Sequence, residues 1–256
     1  MSQQPVVPVS SAAAVLFDLD GVITDTASVH RKAWAELFTG YLAAHHPDKS
    51  PYQDRDYFDH IDGKSRVDGV RDFIASRGIK LPEGSPADPP GDQTVNELGN
   101  RKDAEFQRIL TREGVVVFDG SVRLIEALAA WNIPMAVVSS SKNATQVLRR
   151  VGLLDRFAVV VDGLVAAEIR LPGKPAPDMF TYAAGKLGVA PESSVVIEDA
   201  VAGVAAGRAG GFRTVGVDRE AGPEALLAAG ADEVVEDLAE LLGELETESS
   251  PQHQEA

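Results

Sequence analysis

Two aspartates separated by one leucine, Asp18-Leu19-Asp20, end the apolar run that begins at Ala14, and Gly21 follows them. A short apolar run that meets acids and a glycine reads as a buried strand of an α/β sheet entering its loop. The acids then stand at the strand's carboxyl end, where open α/β sheets bind their ligands. With the chain extended through Leu19, both carboxylates point to the same side. Two crowded carboxylates do not both stay ionised unaided. Either a cation bridges them, or one keeps a proton and serves as a general acid.

Other strand ends carry groups of matching chemistry. The run V-V-S-S-S-K-N puts Ser139 at the tip of a second strand, with Ser141, Lys142 and Asn143 entering the next helix, where capping and anion binding are compatible. Gly173-Lys174-Pro175-Ala176-Pro177-Asp178 pins a lysine by its backbone just before a helix. Such a lysine loses little freedom when it grips an anion or offsets neighbouring acids. The run V-V-I-E-D sets Glu198 and Asp199 at a further tip, completing an oxygen-rich set for a small divalent ion. Carboxylates together with phosphate make Mg²⁺ the expected ion. The chain has no cysteine, which excludes thiolate ligands and cysteine nucleophiles.

The elements that must position these groups follow from the hydrophobic pattern. After the first strand, apolar runs at 134–138, 158–161, 194–197 and 213–217 alternate with helical patterns at 120–131, 143–151, 178–187 and 201–209. That alternation predicts a parallel sheet with helices on both faces. Between the first strand and this series, helical periodicity at 28–42, 65–77 and 93–112 comes without a strand. Residues 45–56 are rich in turn formers, and 79–92, with four prolines, reads as an extended surface loop. The expected fold class is α/β, a Rossmann-like parallel sheet with an all-α helical cap inserted after strand one. Residues 1–24 and 113–256 form the catalytic core, and 25–112 form the cap. An insertion at that point hangs over the strands' carboxyl ends and would cover the carboxylates like a lid.

Composition narrows the partners. The formal charge is −15, and residues 232–256 carry nine acids and no Lys or Arg, so most of the imbalance belongs to the tail. An acidic surface opposes binding to nucleic acid and anionic lipid. No apolar run approaches the length of a membrane span, and residues 1–14 have no basic start or signal-length apolar core. A cytoplasmic monomer acting on small molecules is expected. Gly63-Lys64-Ser65 ends like a phosphate-binding P-loop, but the earlier glycine such a loop needs is Phe58.

In their order along the chain, D-L-D-G-V, the serine ending strand two, the lysine before a helix and the E-D pair resemble the four motifs of the haloacid dehalogenase superfamily. D-L-D-G-V-I-T-D-T, S-x-S-K-N, G-K-P-A-P-D-M-F and E-D-x-x-A-G are most similar to its beta-phosphoglucomutase branch. The resemblance implies Asp18 as the nucleophile that forms an aspartyl phosphate and Asp20 as general acid and base, with Ser139 and Lys174 holding the transferring phosphoryl group. It assigns Mg²⁺ to Asp18, the Asp20 backbone carbonyl, Glu198 and Asp199. In the helical insert Thr26 and His30 match hinge positions, while Arg66 and Lys102 match substrate-contacting cap positions. Arg66 with Ser141, Lys142 and Asn143 would bind the second phosphate of a sugar bisphosphate.

The implied reaction interconverts β-D-glucose 1-phosphate and glucose 6-phosphate through a 1,6-bisphosphate. A Mg²⁺-dependent sugar-phosphate phosphatase using the same Asp18 is the alternative. A non-catalytic sugar-phosphate-binding regulator is a third reading, whose mark would be a lost nucleophile or metal acid, and none is lost. Two departures stand out: Ala200 takes the place of the serine common after E-D, and the proline-rich loop lengthens the cap.

Overall fold

The structure is a computed structural model that describes residues 7–247. Residues 1–6, and residues 248–256 of the acidic tail, lie outside the described residues. The chain lays down β1 (Ala14–Phe17) and then four helices, α1 (Thr26–His45), α2 (Asp54–His60), α3 (Arg66–Ser76) and α4 (Val95–Glu113). Helix α5 (Asp119–Ala130) follows, then β2 (Met135–Val138), α6 (Ala144–Arg150), β3 (Val159–Val161), α7 (Gly163–Glu168) and α8 (Asp178–Leu187). The chain continues with β4 (Ser194–Glu198), α9 (Val201–Ala209), β5 (Arg213–Val217), α10 (Pro223–Ala229), β6 (Glu233–Val235) and α11 (Leu242–Thr247).

Among the described residues six strands form one parallel sheet, in the order β3-β2-β1-β4-β5-β6. Strand β1 is central, with Leu16 facing Ala136 on one side and Val196 on the other. Every residue of β1, β2 and β4 is buried. This explains why their sequences run apolar without alternation: helices cover both faces. On one face Leu16, Val138 and Val196 pack against Met179, Phe180 and Ala183 of α8. The fold class expected from the sequence is therefore the one observed.

The chain divides into two compact units, one taking in the chain up to Thr24 and from Val117 onward, the other Asp25–Val116. The second unit has its own aromatic core. Phe38 stacks on Trp34 at 5.3 Å and on Phe73 at 3.8 Å, and Val70 and Leu98 close around them. Its proline-rich segment carries no helix or strand but is fastened down. Arg71 of α3 donates to both Glu83 oxygens at 3.0 Å, and Asn96 and Asn100 of α4 donate to the Glu83 and Asp88 carbonyls at 2.8 and 2.7 Å.

Among the described residues five helices and strands escape the hydrophobic pattern. Helix α2 forms in a stretch that composition marks as turn, because the Asp56 carboxylate accepts from the Gln53 N–H at 2.8 Å and so closes its first turn. Helices α7, α10 and α11 and strand β6 run three to seven residues, too short for a period to register. No helix among the described residues is long and apolar enough to cross a membrane.

Helix α9 approaches the end of β4 so closely that a Cβ on Gly203 would overlap the Glu198 carboxylate. Gly203→Ala is expected to destabilise the protein by about 1–3 kcal/mol, the usual cost of overpacking. Urea denaturation measures it.

Candidate active site

The ladder of β1 runs one residue past the strand, since the Asp18 N–H donates to the Ile197 carbonyl at 2.9 Å. Asp18 is thus fixed as firmly as a strand residue, and Leu19 after it is fully buried. The Asp20 N–H donates to Oδ2 of Asp18 at 2.8 Å. Gly21 then turns the chain at φ +93°, and a Cβ there would stand inside the Asp199 carboxylate. Only glycine meets both demands.

Lys174 reaches in from the loop before α8. Its Nζ lies 2.5 Å from Oδ1 of Asp18 and 3.0 Å from the Val138 carbonyl, and it also donates to Oε1 of Glu198. Three donors meet three oxygens, so the ammonium is saturated although its side chain is only 1% exposed. Phe180 of α8 supports it, with the ring centroid 5.0 Å from Nζ. The second Glu198 oxygen accepts from the Ala200 N–H at 3.0 Å.

Carboxylate oxygens of Asp18, Glu198 and Asp199 lie within 4.8 Å of one another, and all three residues are buried. Three acids therefore face one ammonium. Burial pushes the Asp18 carboxyl well above the usual carboxylate range; Lys174 pulls it back, while Glu198 and Asp20 add to the rise. Burial would lower the Lys174 ammonium, but Asp18 and Glu198 outweigh it and hold the group above its ordinary value, charged. The cluster has negative charge to spare and offers only hard oxygen donors, the kind that hold a small divalent cation.

Ser139, fully buried at the end of β2, donates from Oγ to Oδ2 of Asp20 at 3.1 Å and accepts the Ser141 N–H at 3.0 Å. Oγ of Ser141 in turn accepts from the Asn143 N–H at 3.2 Å, a local turn that leads through Lys142 into α6. Hydrogen bonds thus run from Ser139 to Asp20, from Asp20 to Asp18 and from Asp18 through Lys174 to Glu198, and Asp199 lies within 4.8 Å of Asp18 and Glu198.

The other candidates belong to the helical unit. Thr26 is fully buried at the first position of α1. Lys102 of α4 is buried against Nδ1 of His30, with Nζ 5.0 Å from the Trp34 and Phe106 ring centroids, and the His30 ring stacks on Phe106 at 4.1 Å. Arg66 opens α3 and crosses to α4, where Nη1 pairs with Asp103 at 3.0 Å and Nη2 donates to Asn100 at 2.9 Å. Asn100 and Asp103 lie on either side of Lys102 in N-R-K-D, yet nothing in that run marks them as the partners of an arginine 34 and 37 positions away.

Comparison with known proteins agrees with this arrangement. A family model described as haloacid dehalogenase-like hydrolase matches residues 12–211. Over 239 residues the chain is 50% identical to the beta-phosphoglucomutase of Mycobacterium tuberculosis (strain CDC 1551 / Oshkosh), covering 90% of this chain and 91% of the relative. It is 29% identical over 228 residues to the validoxylamine A 7'-phosphate phosphatase of Streptomyces hygroscopicus subsp. limoneus, covering 88% of this chain and 94% of that one. The crystal structure of beta-phosphoglucomutase from Clostridium difficile superposes with a TM-score of 0.72 at 25% identity, over 93% of this chain and 98% of that chain. With the parallel sheet and its buried acids at the strand ends, these likenesses make the chain a member of the haloacid dehalogenase-like hydrolase family, and an enzyme of that kind.

Proposed function

We propose that the enzyme is a phosphotransferase that interconverts β-D-glucose 1-phosphate and glucose 6-phosphate through an aspartyl phosphate on Asp18 and a bound 1,6-bisphosphate. One observation carries the chemistry: Asp18 is a buried carboxylate at a strand tip, aimed by Lys174 and grouped with two further acids. Half-identity with a beta-phosphoglucomutase supports the choice of reaction. Likeness to a phosphatase favours a second reading, in which the same Asp18 intermediate passes to water.

In the proposed reaction the free hydroxyl of β-D-glucose 1-phosphate gives its proton to Asp20 as its oxygen displaces Asp18 from phosphorus, forming the bound 1,6-bisphosphate. An Asp18 oxygen then attacks the phosphorus at the other end, and that sugar oxygen leaves with the proton from Asp20, giving glucose 6-phosphate and the aspartyl phosphate again. Lys174 lies against the attacking carboxylate and offsets charge that gathers on the phosphoryl oxygens. Ser139 holds the transferring phosphoryl group together with Lys174, and its hydroxyl, which donates to Asp20, stands beside the acid and base. Arg66 binds the second phosphate, with Ser141, Lys142, Asn143 and Lys102 as further sugar-phosphate contacts and Thr26 and His30 as supporting positions.

The donor set fits Mg²⁺. Asp18, Glu198 and Asp199 offer hard oxygens within 4.8 Å, and their excess negative charge over Lys174 calls for a cation. These three and the Asp20 backbone carbonyl would hold the ion, which offsets charge between an anionic nucleophile and a dianionic phosphoryl group. The midpoint temperature of thermal unfolding should rise with added Mg²⁺, as for any ligand that binds the native state alone. Asp199→Ala should abolish that rise in the absence of substrate. Since burial raises Asp18, its proton competes with the metal, and Mg²⁺ affinity should weaken as pH falls through that raised value. A Mg²⁺ response that survives Asp199→Ala would contradict the assignment.

The two readings part at Arg66. With β-D-glucose 1-phosphate, Mg²⁺ and a trace of the 1,6-bisphosphate to phosphorylate Asp18, a mutase yields glucose 6-phosphate without matching free phosphate. Arg66→Ala should then weaken bisphosphate binding by about 2 kcal/mol, the scale of a charge-assisted contact. It should spare hydrolysis of acetyl phosphate, which has no second phosphate. Brisk phosphate release without glucose 6-phosphate, or equal losses in both assays, would transfer the assignment to the phosphatase.

A further inference from the structure

One arginine outside the motifs touches the loop that carries Asp20. Arg219, just past β5 at the carboxyl end of the sheet, donates from Nε to the Gly21 carbonyl at 2.8 Å and from Nη1 to the Glu236 carbonyl at 3.0 Å. The guanidinium carbon lies 3.8 Å from the centroid of the Phe118 ring. These contacts bracket the excursion into the helical unit. Gly21 precedes the exit at Thr24, and Phe118 follows the return at Val117. The two segments are themselves joined: Thr24 pairs antiparallel with Val117, and the Phe118 N–H donates to the Ile23 carbonyl at 3.1 Å.

Gly21 is bound at both ends, because its N–H donates to the Thr24 carbonyl at 2.7 Å while its own carbonyl accepts from Arg219. Asp199 fills the space where a side chain would lie. Glycine has the widest backbone freedom of any residue, so the geometry of the peptide after Asp20 depends on these partners. Arginine suits the task because one rigid fork can meet two carbonyls while its face stacks on a ring; a lysine ammonium cannot. We propose that Arg219 is a positioning residue that sets the placement of Asp20 for proton transfer by holding Gly21 and Phe118 together. The inference rests on the reading of Asp18 as nucleophile and Asp20 as acid and base.

Two half-reactions separate positioning from general structural support. When acetyl phosphate phosphorylates the enzyme, its P–O bond breaks, an Asp18–phosphorus bond forms and acetate leaves without needing a proton. Onward transfer to glucose 6-phosphate breaks the Asp18–phosphorus bond and forms the sugar O–phosphorus bond, and the hydroxyl proton passes to Asp20. Rapid-quench measurement of both steps in Arg219→Met at saturating Mg²⁺, so that any weaker metal binding through the Asp20 carbonyl does not enter, should leave the first within about twofold and slow the second about tenfold or more, since small misplacements of a catalytic group are that costly. Arg219→Lys should show the same split because it keeps only the charge. Phe118→Leu, which keeps the hydrogen bonds, should show a smaller one and serves if Arg219→Met does not fold.

Equal slowing of both steps, or of neither, would overturn the inference. The parent enzyme's acceptor tests the proposed function separately. If its phosphoryl group passes to water and not to glucose 6-phosphate, the mutase reading fails, and the same split measured on hydrolysis still decides the role of Arg219. A parent enzyme that acetyl phosphate does not phosphorylate would overturn the reading of Asp18 and this inference with it.

Discussion

A single buried ammonium holds the candidate site together. Lys174 is shared by Asp18, Glu198 and the end of β2, and it can leave none of them without exposing a buried charge or an unmet carbonyl. Removing one partner of a buried ion pair is far more disruptive than never burying the pair, because the remaining charge stays in a poor solvent. This constraint fixes three strand ends relative to one another: β1 through Asp18, β2 through Val138 and β4 through Glu198. The same ammonium opposes the rise that burial imposes on Asp18 and so favours the ionised form that the proposed nucleophile requires.

The sheet order makes this sharing possible. Strand β1 lies between β2 and β4, so one lysine from the loop before α8 can reach all three tips. Steric demands tighten the result: Gly21 admits the Asp199 carboxylate against the backbone, and Gly203 admits Glu198. Both glycines lie within runs that also carry acids. The close approach of backbone to carboxylate is thus written into the same short segments as the chemistry.

Much of this could be read from the sequence, for a physical reason. Asp18, Asp20, Ser139, Lys174, Glu198 and Asp199 each follow a short apolar run or precede a helix, and in a parallel sheet those positions converge at one end. Local pattern therefore carried long-range information. The helical unit was less legible. Its helices α1, α3 and α4 announce themselves by period, but α2 is set by the Asp56 contact, and Arg66 is engaged by Asn100 and Asp103, which no spacing rule relates to it. Arg219 left no trace either, since its partners Gly21 and Phe118 lie far from it in the chain and it follows its strand without a motif around it. Strand β6, three residues with one acid, was too short to show a period.

The central claim is that Asp18 carries the phosphoryl group, and trapping tests it most directly. Protein treated with acetyl phosphate and Mg²⁺, quenched and reduced with borohydride, converts an aspartyl phosphate to homoserine, which peptide mass spectrometry can locate. Homoserine at position 18, and none in Asp18→Asn, is the predicted result. Homoserine at position 20, or stable phosphate on a serine or histidine with residue 18 unchanged, would contradict the account.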